Sequence, residues 1–318
     1  MEDLTKIPFK ELEGKFIKFF DLADNRQILF SGPFGSGKTT FLKDFTEIKS
    51  KEYEFIHIFP VNYSLHNNVD IYEILKYDII LELIGKGVFG APQISSLMAY
   101  IFATTQTLDN ALANLLSGFS KTGKQLKDLI DLLKKNKQNF AKKIQDIKDP
   151  LLGIRSIENL INEIKGYEYD DYITGLIREK LSDLSKGKKV VLIVDDLDRI
   201  DPEHLLRIIS VFSAHIDYNT GENKFGFDKI IFVGDIESFK GMFIHRFGTA
   251  ETFNGYITKL CSKQPFNFDP AQELYTKIIS ILSIYKANHK NETYSFFPFE
   301  QKSTVFKEFI VYLFANLI

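Results

Sequence analysis

The chain has no tryptophan and a single cysteine, Cys261. One cysteine forms no intrachain disulfide, so the fold rests on packing, and the composition fits a reducing compartment. No CxxC pair occurs, and the six histidines (57, 66, 204, 215, 245, 289) show neither HxH nor HxxxH spacing. The usual ligand patterns of a transition-metal site are therefore lacking. The formal charge is only -2, so no global field draws the molecule to nucleic acid or acidic membranes, and any such attraction must be local. The opening stretch MEDLTKIPFKELEGKF is charged throughout and lacks the apolar core of a signal peptide. A cytoplasmic location is the expectation. No internal repeat and no low-complexity tract is found.

What is present is an ordinary globular composition, with 44% hydrophobic and 26% charged residues. At 318 residues the chain has room for one large domain, or for a core with a substantial insertion.

The first informative stretch is ILFSGPFGSGKTTFLKDF, residues 28–45. Gly32, Pro33, Phe34, Gly35, Ser36, Gly37, Lys38 and Thr39 match GxxxxGK[ST] at every fixed position. Glycines permit positive φ and let backbone N–H groups converge on one concavity suited to phosphate oxygens. Lys38 would reach the β- and γ-phosphates, and Thr39 would offer its hydroxyl to Mg²⁺. The helix starting near Lys38 and running through Thr40 turns its positive dipole end toward the same anion. A chance match is expected about once in a hundred chains of this length from average residue usage. The apolar strand before the loop and the helical pattern after it reduce that further.

The second stretch is KVVLIVDDLDRIDPEHLL, residues 189–206. Five consecutive apolar residues, Val190 to Val194, predict a fully buried parallel strand. Asp195 and Asp196 follow at its carboxyl end, where ligands bind in open α/β sheets. Asp195 is the candidate Mg²⁺ carboxylate, and Asp196 is placed to orient and polarise an attacking water. Aspartate is one methylene shorter than the more usual glutamate. The plainer alternative is that Asp196, Asp198 and Asp201 cap the next helix; Asp201-Pro202 is a good N-cap followed by proline at the first helical position. A third stretch, DKIIFVGDIESF (228–239), predicts another core strand ending at Asp235. That aspartate either positions a water or an arginine near the γ-phosphate or simply forms the turn.

Together GPFGSGKTTFL, IVDDLDR and FVGDIESF resemble the KAP family of P-loop NTPases. EFIHIFPVNYSLHNNVDIYEIL occupies the place of that family's second strand and helix, and GYITKLCSKQPFNF that of a lysine-bearing helix and short strand. Phe34 stands where the family usually has tryptophan, and the family's second-strand tryptophan is missing near Asn62 and Tyr63. The resemblance implies ATP and Mg²⁺ as ligands, and Arg199 as a sensor or trans-acting arginine finger; an ion pair with a neighbouring aspartate is the alternative. It also implies phage defence or membrane-linked signalling; a homo-oligomer is a separate expectation, attached to the hydrolase reading.

Lys38 and Asp195 stand 157 positions apart, more than a strand–helix–strand core needs. The sequence therefore divides into a first core part (1–85), a helical insertion (86–150), a second core part (151–268) and a C-terminal helical region (269–318). Residues 87–108 are uncharged for 22 residues, which is span length. Pro92, two glutamines and several hydroxyl side chains make insertion costly, so a buried or interfacial helix is expected. Leu126, Ile130, Leu133, Phe140, Ile144 and Ile147 then form a heptad-like seam. Nine lysines against four aspartates between Lys121 and Asp149 give a basic face. That face, within 121–148, is either merely solvated or a contact for an anionic membrane or nucleic acid.

The guanine motif NKxD is absent, and LLSGFS at 115–120 is a poor and misplaced copy of the ABC signature. Paired aspartates favour water over an acceptor hydroxyl. The fold class predicted is a three-layer α/β P-loop NTPase core with a mainly parallel sheet. Two functions remain: an ATP hydrolase whose cycle drives a conformational or assembly change, and a nucleotide-gated scaffold with little or no turnover.

Overall fold

A computed structural model of the chain describes residues 9–61, 71–90, 93–94, 97, 172–214, 223–247, 251–271, 273–277, 286–289 and 292–295. Helix α1 (Lys10–Phe20) leads into strand β1 (Gln27–Ser31), helix α2 (Lys38–Lys49), strand β2 (Tyr53–Ile58) and helix α3 (Ile71–Gly85). Further along the chain come α4 (Tyr172–Ser185), β3 (Lys189–Val194), a 3₁₀ turn (Leu197–Arg199) and α5 (Pro202–Ala214). The core continues through β4 (Lys229–Gly234), α6 (Ile236–Phe247), α7 (Glu251–Leu260) and β5 (Phe266–Asn267).

The five strands form one parallel sheet in the order β2-β3-β4-β1-β5. Strand β4 thus lies between β1 and β3, and all carboxyl ends point the same way. Every residue from Val190 to Val194 is buried because both faces of the sheet are covered. Val191 and Ile193 join α1 and α2 on one face, whereas Val190, Leu192 and Val194 join α3 through α7 on the other. This is the three-layer α/β arrangement the sequence predicts.

The α1/α2 face is built from phenylalanine. Phe16 meets the rings of Phe20, Phe30, Phe41, Phe45 and Phe266 at centroid distances of 4.7–6.1 Å. Phe9, just before α1, and Phe268, just after β5, touch edge-on at 5.7 Å. At the amino ends of the strands, Lys229 Nζ donates to the carbonyls of Leu22 and Asn25 and ties the α1–β1 connection to β4.

Beyond the core, Lys286–His289 and Glu292–Ser295 pair as an antiparallel two-stranded ribbon, β6 and β7. This corrects the reading of residues 269–318 as helical at these two strands. Asn288, Thr293 and Tyr294 are poor helix formers, and the β-favouring Thr293 and Tyr294 explain the strand. Most of the proposed insertion lies outside the described residues, including the seam from Leu126 to Ile147 and the basic stretch 121–148. Of the uncharged stretch 87–108, residues 87–90, 93–94 and 97 are described; Phe89, Ile94 and Leu97 are buried, and Gly87, Gly90 and Gln93 are exposed. Among the described residues no helix is long and apolar enough to cross a membrane.

Candidate functional site

The loop between β1 and α2 follows directly from its residues. Gly35 and Gly37 adopt φ of 75° and 88°, conformations that disfavour any side chain. A Cβ on Gly32 would stand 2.7 Å from the backbone oxygen of Phe268, so only glycine lets the loop pass the end of β5. The Gly32 N–H donates to Gly234 O at 3.2 Å, which carries the β1–β4 ladder into the loop. Helix α2 has no side-chain cap, and Gly37 precedes it in the left-handed conformation. Helical geometry leaves the first-turn amides of Lys38, Thr39 and Thr40 without carbonyls inside the helix, and Thr39 and Thr40 are exposed. Ser36 Oγ is buried within the loop with no hydrogen-bond partner.

Lys38 folds back over this concavity. Its Nζ donates to Gly32 O at 2.7 Å and Pro33 O at 3.0 Å, and Asp198 Oδ2 lies 3.6 Å away. Phe34 projects from the loop tip, 76% exposed, and Arg199 sits over its ring at 6.0 Å.

Asp195 is completely buried just beyond β3. Its Oδ2 accepts from Thr39 Oγ1 and from His57 Nε2, each at 3.0 Å. Its Oδ1 accepts from the Asp196 backbone N–H at 2.8 Å. Thr39 and Asp195 are 156 residues apart in sequence, and the parallel sheet brings them together. His57 comes from β2 and stacks on Phe59 at 4.4 Å.

Asp196 adopts φ 56°, a left-handed conformation uncommon for a residue with a side chain. Its carboxylate accepts from Arg199 Nη1 at 3.1 Å. Burial, then the adjacent Asp195 charge, pushes the Asp196 pKa above the usual aspartate value, while Arg199 opposes the shift. Asp201 and Asp235 have ordinary duties. Asp201 Oδ1 accepts from Glu203 N–H at 2.8 Å at the start of α5. Asp235 caps α6, accepting from Glu237 N–H and Ser238 Oγ at 3.0 and 3.2 Å; this is the turn-forming alternative.

The residues singled out from sequence therefore surround one end of the sheet: Gly32 to Thr40 on one side, Asp195, Asp196 and Arg199 on the other. Two were missed. His57 carries no motif and is marked only by its place on β2, beside the strand that ends at Asp195. Asp198 was visible as one acid among several, but its pairing with Lys38 depends on the fold.

The sequence profile of the KAP family P-loop domain matches residues 14–264. The chain belongs to the KAP family. No curated protein matches it. A KAP P-loop domain implies nucleotide binding and hydrolysis, and P-loop NTPases typically bind a nucleoside triphosphate with Mg²⁺. The donor set fits both ligands. Unpaired first-turn amides and the orphaned Ser36 hydroxyl suit phosphate oxygens, and the Thr39 hydroxyl beside the Asp195 carboxylate suits a hard divalent cation.

Proposed function

We propose that this KAP protein is a Mg²⁺-dependent ATPase whose cycle drives a conformational or assembly change. The observation that carries the reading is the junction of Thr39 Oγ1 with Asp195 Oδ2 at 3.0 Å, at the mouth of a glycine loop that also holds Lys38. The loop Gly32 to Thr40 binds the triphosphate, with the first-turn amides of Lys38, Thr39 and Thr40 and the Ser36 hydroxyl as donors. Thr39 and Asp195 would hold the metal, which when bound would neutralise phosphate charge and polarise the transferred group. Lys38 supplies a cation to the β- and γ-phosphates. Asp196 orients the attacking water and takes its proton, a task suited to a carboxylate with a raised pKa. Arg199 adds a positive charge near the transferred phosphate or toward a second copy in an oligomer. On resemblance alone, we extend the reading to phage defence or membrane-linked signalling.

A second reading has its own observation. Asp196 is already held by Arg199 at 3.1 Å, as expected of a nucleotide-gated scaffold with little turnover. Phosphate release from Mg-ATP by the wild type and Asp196→Asn, with nucleotide binding measured in both, separates the two. The ATPase reading expects a loss of about a hundredfold or more in a variant that still binds. Tight binding without turnover in either protein supports the scaffold.

A further inference from the structure

Asp198 takes no part in the chemistry above, yet its side chain is only 5% exposed and faces Lys38 Nζ at 3.6 Å. A buried carboxylate is costly unless an opposite charge or donors compensate it. Here the compensating charge belongs to the very lysine that the phosphate loop needs. Lys38 is turned inward onto Gly32 O and Pro33 O and balanced by a protein anion. An arriving phosphate carries the same sign as Asp198 and competes for the same cation.

The position of Asp198 gives that competition a consequence. It is the middle residue of the 3₁₀ turn Leu197–Arg199, anchored by the fully buried Leu197. The next residue, Arg199, holds the Asp196 carboxylate. The turn also rests on the end of β4, since a Cβ on Gly234 would approach the Asp198 backbone nitrogen to 3.3 Å. One three-residue element therefore grips both the phosphate-loop lysine and the candidate water-orienting carboxylate.

We propose that Asp198 is the resting counter-ion of Lys38, displaced when phosphate arrives, and that the turn Leu197–Arg199 transmits this exchange to Asp196. Asp198 is thus a positioning residue acting through Lys38. The inference rests on the nucleotide-binding part of the reading above and not on turnover.

The test is binding of a fluorescent, non-hydrolysable ATP analogue to the full chain, wild type against Asp198→Asn. Backbone hydrogen exchange across 196–201 is followed with and without the analogue. Asp198→Asn should bind about threefold to tenfold more tightly, because a larger fraction of molecules has Lys38 available for phosphate. In the wild type, exchange over 196–201 should quicken on binding. Equal or weaker affinity in a variant that melts like the wild type overturns the proposal, as does unchanged or slower exchange in the wild type. Should Asp198→Asn fail to fold, the wild-type exchange decides by itself. Binding as expected with no phosphate release from Mg-ATP would sink the hydrolase reading and leave this one standing. Absence of any nucleotide binding overturns both.

Discussion

A single oxygen, Asp195 Oδ2, accepts from Thr39 on α2 and from His57 on β2. Three elements are thereby fixed around the position where a cation would be held, and the buried carboxylate is compensated by hydrogen bonds. Two buried ionisable groups away from this site, Cys261 and Lys229, act on stability. Burial pushes the Cys261 thiol up to about 12 from 9.0. The folded chain then holds a proton that the unfolded chain loses between about pH 9 and pH 12, so this group's contribution falls across that window. Lys229 runs the other way: burial lowers its pKa from 10.5 to about 8, so the unfolded state binds the extra proton and stability rises between those values. The sharper expectation concerns reactivity. Thiolate is the nucleophile, so Cys261 should resist maleimide in the native chain at pH 8 and react fully in denaturant, as mass spectrometry would show. Rapid native labelling would mean that the α7 end opens readily.

At the scale of elements, α1 is held by rings more than by polar contacts. Phe16 is fully buried against five other phenylalanines from α1, β1, α2 and β5. Phe16→Ala should therefore cost about 3–5 kcal/mol, read from the denaturant midpoint at unchanged slope. A loss below about 1 kcal/mol would show that α1 is dispensable to the core. The elements also show what the sequence could convey. GPFGSGKT announces itself because its glycines serve local backbone needs, and Val190–Val194 because a strand buried on both faces must be apolar throughout. Asp201-Pro202 and the turn at Asp235 are local as well. His57 and the Lys38–Asp198 pair were hidden because they depend on strand order, which no short window encodes. The β6–β7 ribbon was hidden for a different reason: the apolar, helix-favouring run before it masks the polar, strand-forming residues that follow.

For the whole molecule, nucleotide binding should report itself as stability. The candidate phosphate contacts come from the β1–α2 loop and the metal carboxylate from β3, so ligand binds only when the sheet is assembled. At a hundredfold excess over Kd the linkage is about 2.7 kcal/mol, or roughly 5 °C in Tm for a chain of this size. Mg-ATP should raise the melting point by that amount, and EDTA should remove much of the shift. An unchanged Tm under saturating ligand would contradict the site assignment. Lys38→Ala should abolish the shift, and it should itself melt below the wild type without ligand because the buried Asp198 carboxylate loses its compensating charge.

The edge-on contact of Phe9 and Phe268 at 5.7 Å has a topological consequence. The core path starts beside the place where it finishes, and α3 and α4, between which the chain runs through residues 86–171, pack together. The core is therefore a closed circuit whose beginning is arbitrary. A circular permutant joined from Phe268 to Phe9 by a short linker, and opened between α3 and α4, would keep every strand pairing of the five-stranded sheet.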